Sequence, residues 1–575
     1  MQRRAAIVLI ALLLLAFGSP PPASLAVAID VSPTPAATAP ACSGWTSTYA
    51  PPVTIRVGMV VGGAVTSVMS VPFLTYVQKV LAAEWPSSDP DYLQIGALAV
   101  KQFAWYWAMH GRSAHTLSGQ CYDVRSDSAD QLYDPTKTPT SPEIAAVNAT
   151  WSVSLRQGGA FIRPLYNSFN QLNGQGKVCG TGAFTTRTFL PQQAVRDCLD
   201  APNNWTRNQV LHFYLDLPAS PSGPAKPLSI ADLVSLAGGD RYATAVAVSA
   251  WRFEPGVPTA YVATGANFPD ALAGGPAAAR AGGPVLLVPP GDELPPAVAD
   301  ELQRLAPGRI QVLGGPGSVS EALLEALVPY VPGQDPGLVT RVAGADRYQT
   351  AVAISQDAFG PADQPVADPL PVVYLATGAT YPDALAGAAA AARAGGAVLL
   401  VDPARTLDDQ PELRAELARL RPQRIRVLGG PGAVPDAVVA GLAGYAPDVS
   451  RLAGATRYET AAAVSAEAYL PDGPMLFLAT GGNFPDALAA AALGGPLLLV
   501  PTAGAVPFAV LYETGRLAPQ QFAIVGGRGA VTDGTVGQEA YAQEFPPTPS
   551  PSPSPSPSPS PSPSPTASPS ASSGP

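Results

Sequence analysis

The sequence predicts an α/β protein: three tandem parallel-sheet α/β repeat domains, preceded by a mixed α+β domain and followed by a Pro/Ser tail that builds no core. Three observations carry this. First, one text recurs: LAGGDRYATAVAVS from Leu236, RVAGADRYQTAVAIS from Arg341 and RLAGATRYETAAAVS from Arg451. A unit of about 100 residues is domain-sized, too long for a solenoid turn. Second, each copy alternates helix-spaced segments with short apolar runs: AYVATG, VYLATG and LFLATG, then PVLLVP, AVLLVD and PLLLVP, then IQVLGGPG, IRVLGGPG and FAIVGGRG. Continuous apolar strands between helices mark a parallel sheet covered on both faces. Third, composition breaks sharply at PASPSGPAKP (218–227) and again at PTPSPSPS near the end.

In order, the chain divides as follows. Residues 1–28 read as a secretory signal: Arg3 and Arg4, an apolar run from Ala5 to Phe17, then Ala26-Val27-Ala28 as an A-x-A-like cleavage site. Residues 29–41 are a linker, 42–217 a first domain, and 218–227 a second linker. The repeat units span 228–340, 341–450 and 451–544, and 545–575 is the extended, polyproline-like tail. The apolar run in the signal is too short to span a bilayer comfortably, and no other stretch is long enough. No stable membrane insertion is expected after signal removal. The 575 residues carry 33 Lys and Arg against 43 Asp and Glu, a net charge of −10, which excludes a general nucleic-acid binder. Cys42, Cys121, Cys179 and Cys198 all precede the repeats. An even number in an exported segment predicts two disulfides, with three pairings open. No CxxC and no paired His points to zinc.

In the first domain, Thr54–Val61 reads as a strand and Val71–Trp85 as a helix with Val77, Val80, Leu81 and Glu84 on one face. Asp91–His110 is a second helix, carrying Trp105-Tyr106-Trp107. CYDVRSDSADQLYDP follows as strand and polar loop, then a helix at Pro142–Trp151 and a hairpin through Gln157-Gly158-Gly159. Asp123, Asp127 and Asp130 lack EF-hand spacing and read as turn or substrate-loop residues, with no metal expected. His110 reads as a helix-end cap.

LTYVQKVLAAEWPSSDPDYLQIGALAVKQFAWYWAMHG, the later DQLY and the closing NWTRNQVLHFYL resemble the SpoIID/LytB family of cell-wall proteins, over about residues 55–215. The shared pattern is a helix ending in Glu-x-Pro, an Ala-rich helix and a Gln-x-Tyr. The resemblance implies lytic transglycosylation of peptidoglycan, with Glu84 as the general acid. A carboxyl on the apolar side of a helix end can hold its proton near neutrality. The sugar's own hydroxyl closes the ring, so no second catalytic carboxylate is required. Trp85, Trp105, Tyr106, Gln131 and Tyr133 are the expected glycan-binding residues, the aromatics offering flat faces to sugar rings. One departure stands out: Phe103 occupies the position where the family usually carries Arg, with Lys101 and Gln102 beside it.

The repeats resemble the cell wall-binding repeat 2 family over about residues 236–531. That resemblance implies non-covalent attachment to an anionic secondary cell-wall polymer and three units in a pseudo-threefold arrangement. Arg241, Arg347 and Arg457 are the expected polymer-binding residues, since guanidinium suits phosphate and carboxylate. The competing role is internal pairing with Asp270, Asp383 or Asp486, or with Asp240 or Asp346. GGPG after a strand is not GxGxxG, and no cofactor is expected. The copy from Arg451 reads as shortened at AVLYETGRLAP. The function expected is therefore an exported cell-wall protein whose first domain processes peptidoglycan glycan strands. The alternative is a catalytically inactive structural or adhesion protein whose first domain only binds glycan.

Overall fold

A computed structural model describes residues 44–48, 50–112, 115–167, 179, 189–216, 228–545 and 547. The expected signal, both linkers and nearly all of the tail lie outside the described residues, as does Cys42. No helix among the described residues is long and apolar enough to cross a membrane.

The N-terminal region opens on an antiparallel hairpin, Thr54–Val61 with Ala64–Pro72, and Val124–Arg125 adds in parallel beside Val57 and Gly58. Its turn is Gly62-Gly63, both at positive φ (59° and 85°), as a two-residue hairpin turn requires. Sequence analysis assigned the first and third of these strands but not the second, and began the helix at Val71. The second strand faces mostly solvent, so it has no apolar alternation to read. The helix runs Phe73–Glu84. Next comes Pro90–His110, which starts on an Asp89 N-cap that accepts from the Tyr92 N–H at 2.7 Å, with Pro at the first position. It is buried along most of its length and forms the centre of this region. A helix at Ser141–Ala149 leads into the hairpin Val153–Gln157 with Ala160–Phe161, turning at Gly158-Gly159 as expected. Helices at Gln192–Leu199 and Arg207–Leu215 close the region, and Cys179–Cys198 is a disulfide.

Each repeat begins with a strand that sequence analysis did not assign: Leu228–Leu236, Val339–Val342 and Asp448–Leu452. These strands do not pair within their own repeat. Val339–Val342 lies parallel to Arg309–Leu313 of the first unit, and Asp448–Leu452 parallel to Arg424–Leu428 of the second. Leu233–Leu236 lies parallel to Phe522–Val525 of the third. Strand sharing therefore closes on itself. The same strand pairs through its first half, Leu228–Asp232, antiparallel with Val153–Gln157. One six-stranded sheet thus runs from the third unit into the N-terminal region.

Within each unit the helix after the shared strand starts at the repeated arginine: Arg241–Arg252, Arg347–Phe359 and Arg457–Ala468. Asp240 and Asp346 cap the first two, each accepting from two backbone N–H groups, and Thr456 forms a capping box with Glu459. The Pro-Asp segments open helices Pro269–Ala281, Pro382–Ala394 and Pro485–Ala491, which pack on one another at the centre of the largest core cluster. Their Ala and Gly content allows this approach: a Cβ on Gly275 would lie 3.1 Å from the Ala491 Cβ. Here the expectation of a shortened AVLYETGRLAP helix is corrected. That helix, Phe508–Leu517, has 10 residues, as do Pro296–Leu305 and Pro411–Leu420. The shortening falls on Pro485–Ala491, 7 residues against 13 in the other copies.

A Ser–Glu–Arg contact recurs that sequence analysis also missed. Ser249 donates to Glu301 at 2.5 Å, Ser355 to Glu416, and Ser465 to Glu513 at 2.6 Å. An arginine three residues on (Arg304, Arg419, Arg516) pairs with each carboxylate. The signal was present as Glu-x-x-Arg in ELQRL, ELARL and ETGRL. These buried charges are paired and hydrogen-bonded, which burial demands of them.

Candidate functional site

Glu84 is the last residue of its helix. One carboxylate oxygen accepts from the Leu132 N–H at 2.6 Å, and the other accepts from the Tyr166 hydroxyl. The Tyr166 oxygen in turn accepts from the Gln131 amide at 2.9 Å, and the Gln131 carbonyl accepts from the Tyr76 hydroxyl at 2.8 Å. Gln131 is fully buried and also donates to Val100 O at 3.1 Å. Burial pushes the Glu84 pKa up, while the Leu132 and Tyr166 hydrogen bonds pull the other way. Desolvation raises the Tyr76 and Tyr166 hydroxyls well above their usual range, with Glu84 adding to both. The arrangement is a carboxyl at the end of a buried hydrogen-bond chain, able to hold and release a proton. Tyr166 was not identified from sequence. It stands on the short strand Leu165–Asn167, outside every motif that was read.

The structure brings Glu84, Gln131 and Tyr133 together; Tyr133 stacks on Tyr76 with centroids 5.2 Å apart. It does not do so for the tryptophans as sugar platforms. Trp85 has no exposed surface: it packs against Tyr92 and Tyr166 and lies so near Gly96 that a Cβ there would sit 2.6 Å from its ring. Trp105 is 1% exposed, donates to Ser47 O at 2.8 Å and meets Phe161 edge-on. Both are core residues, Trp85 at the end of the first helix and Trp105 on the second, which is buried along most of its length. Tyr106 is half-buried and joins a different group, stacked on His110 at 3.9 Å. His110 bonds Tyr106 O at 2.7 Å, the helix-end contact expected of it.

Phe103 is mostly buried, and the Arg163 guanidinium lies over its ring at 6.0 Å, over Tyr106 at 5.6 Å and over Trp107 at 4.6 Å. Lys101 and Gln102 do not stand in for the family arginine. Lys101 is buried and donates to Thr150, Trp151 and Val153 carbonyls, with its pKa lowered to about 7 by desolvation. The Gln102 amide is spent on Leu155 and Ile162 carbonyls. Asp123, Asp127 and Asp130 pair with Arg56, Arg125 and Arg112. No group of three or more metal-ligating side chains occurs among the described residues.

The repeated arginines converge. Phe268, Tyr381 and Phe484 cap the three Pro-Asp helices, and their rings touch one another with centroids 5.9, 6.0 and 5.3 Å apart. Around this triad, each arginine lies over the aromatic ring of the preceding unit: Arg347 over Phe268, Arg457 over Tyr381 and Arg241 over Phe484, at 5.7–6.0 Å. Each also donates to a carbonyl of its own unit, Gly265, Gly378 or Gly481, at 2.6–2.7 Å. Among the described residues none of the three forms an ion pair with a carboxylate. The expected competitors face them across the joint instead. Asp270, Asp383 and Asp486 are buried, which raises their pKa values, and they accept from Ser318, Thr460 and Thr244. The first glycine of each Gly-rich turn is shaped by the same aspartates. Gly314, Gly429 and Gly526 sit at φ 96°, 88° and 100°, where a Cβ would collide with Asp270, Asp383 and Asp486. The first glycine of each turn is thus required by the fold itself.

The family model described as Cell wall binding domain 2 (CWB2) matches residues 235–324, 341–439 and 451–536. The chain is 26% identical over 273 residues to the N-acetylmuramoyl-L-alanine amidase LytC of Bacillus subtilis (strain 168), covering 46% of this chain and 49% of that protein. It is 27% identical over 258 residues to the Amidase enhancer of the same organism, covering 45% of this chain and 32% of that protein. It thus spans half or less of the length of these relatives. Among solved structures, Cwp8 from Clostridium difficile is similar with a TM-score of 0.48 and 24% identity, over 54% of this chain and 52% of that chain. Cwp6 from the same organism is similar with a TM-score of 0.48 and 21% identity, over 55% and 48%. The arginine cluster is therefore assembled by the three segments that match the cell wall binding domain 2 model, one arginine and one aromatic from each.

Proposed function

We propose that this is an exported surface protein of a bacterial wall. Three CWB2 units, in a pseudo-threefold arrangement, hold it non-covalently on an anionic wall polymer. The N-terminal domain processes peptidoglycan glycan strands. The observation that carries the anchoring role is the cluster of Arg241, Arg347 and Arg457, which forms no ion pair among the described residues, on a chain of net charge −10. A repeating anion offers matching charges, and guanidinium binds phosphate or carboxylate in a forked geometry. The test is co-sedimentation of the full chain with purified walls, before and after anionic polymers are stripped. Retention that survives stripping contradicts the polymer as the anchor.

For the glycan chemistry, Glu84 acts as the general acid. Burial favours its protonated form, and the proton passes to the glycosidic oxygen as the bond breaks. Tyr166 and the Leu132 N–H then hold the carboxylate that forms. The sugar's own hydroxyl closes the anhydro ring and gives its proton to that carboxylate, which restores the acid. A second reading is an inactive glycan-binding domain, and two observations favour it. Phe103 stands at the position of the family's arginine, and Trp85 and Trp105 are buried, with no face for a sugar. Anhydro-muramyl products from wall glycan separate the two readings.

A further inference from the structure

The three joints between units are not alike. At the first, Arg280 at the end of the 13-residue helix donates to Ala358 O at 3.0 Å and lies over Phe359 at 4.9 Å. A polar contact crosses the same joint, from Gln311 to Asp357 at 2.9 Å. At the second joint the equivalent contact is Arg426 to Glu467, at 2.7 Å. At the third joint both devices are gone. The 7-residue helix ends at Ala491, and no arginine follows it before the next strand. Ala523 and Trp251 occupy the positions of the polar pair, and Trp251 packs edge-on against Phe477 at 6.0 Å.

A cavity of about 590 Å³ lies where the missing helical turns would run. That is the size of a small-molecule site, and joints between domains are where such sites gather. Its walls include Trp251, Tyr469, Met475 and Phe477, and Leu470 beside them is 85% exposed. Arg252 and Arg393 line the same cavity. Among the described residues neither forms an ion pair or a hydrogen bond with a protein side chain or carbonyl. Arg280, the counterpart of Arg393, is by contrast committed to Ala358.

We propose that this cavity binds a small amphiphilic anion, with an apolar body against Trp251 and Phe477 and a phosphate or carboxylate held by Arg252 and Arg393. Apolar walls alone would take a neutral ligand, and two guanidinium groups alone would take free phosphate. Their combination selects a molecule with both parts. The Pro/Ser segment after residue 547 carries no charged side chain. The inference is independent of the polymer-binding role of Arg241, Arg347 and Arg457.

The test is calorimetric titration of the full chain with decyl phosphate, decanoate, decanol and inorganic phosphate, the amphiphiles kept below their micelle concentrations. Decyl phosphate or decanoate is expected to bind one-to-one, at least about 10-fold tighter than decanol and inorganic phosphate. The Arg252→Gln/Arg393→Gln double variant, shown folded by an unchanged melting curve, is expected to lose about 10-fold in that affinity. Equal binding of inorganic phosphate, unchanged binding by the double variant, or no binding of either amphiphilic anion overturns the proposal.

Discussion

The Glu84 site and the arginine cluster solve the placement of charge in opposite ways. Glu84 is a single carboxyl drawn into the protein, held by Leu132, Tyr166 and, through Tyr166, Gln131. The cluster is one modest arrangement made three times, each arginine braced on the aromatic ring of the preceding unit and out of ion-pair contact with the aspartate it faces. Burial shifts a proton equilibrium and suits chemistry on one bond. Repetition at a half-exposed surface sums weak attractions and suits holding a long anion. One substitution should therefore disable the first site, whereas the second should fail by degrees.

The largest effect expected is on the first site. Glu84→Gln should lower glycan cleavage by at least about 100-fold in a product assay, with wall retention unchanged. Next, replacing Arg241, Arg347 and Arg457 together by Gln should weaken wall retention at least about 10-fold in sedimentation, with cleavage of soluble glycan intact. Each single replacement should cost about a third of the logarithmic loss if the attractions simply add, and more if the units act as one. Raised salt should weaken retention in the wild type and matter less in the triple variant.

Two smaller effects concern the scaffold. Glu539 is buried beside Thr514, whose hydroxyl it accepts at 2.6 Å, and desolvation raises its pKa from 4.5 to about 7. The folded state then binds this proton more tightly than the unfolded state. The contribution of Glu539 is fully present below pH 4.5 and is lost as pH rises to about 7. The loss is about 3 kcal/mol by linkage. Glu539→Gln should remove that part of the pH dependence in chemical denaturation and leave the variant the more stable at pH 8. Gly314→Ala should cost about 2 kcal/mol, through its positive φ and the collision with Asp270. Gly315→Ala, where a Cβ meets nothing within 4 Å, should be near neutral. Equal melting temperatures for the two would break the account of these turns.

Repetition also decided what could be read in advance. The strands, Pro-Asp helices and arginines of the units were legible because each appears three times in the same order. What escaped was non-local. The shared strands Leu228–Leu236, Val339–Val342 and Asp448–Leu452 carry weak apolar patterns and find their partners only in another unit. The shortening of the third Pro-Asp helix was assigned to the wrong segment, although the sequence marks it: ARAGG at the end of the first two helices is ALGG at the end of the third. At the Glu84 site, the helix and its terminal carboxyl were legible from spacing. Tyr166 was not, since 82 residues separate it from Glu84. Trp85 and Trp105 misled for a related reason: an aromatic cluster looks the same in sequence whether it faces a sugar or fills a core.

The most direct test of the central claim is mass spectrometry of the products formed when the full chain, beside its Glu84→Gln form, is incubated with peptidoglycan, both intact and stripped of stem peptides. Anhydro-muramyl products from the wild type alone are the predicted result. Equal products from both forms, or none from either folded protein, would contradict a catalytic Glu84 and leave the N-terminal domain a glycan-binding one.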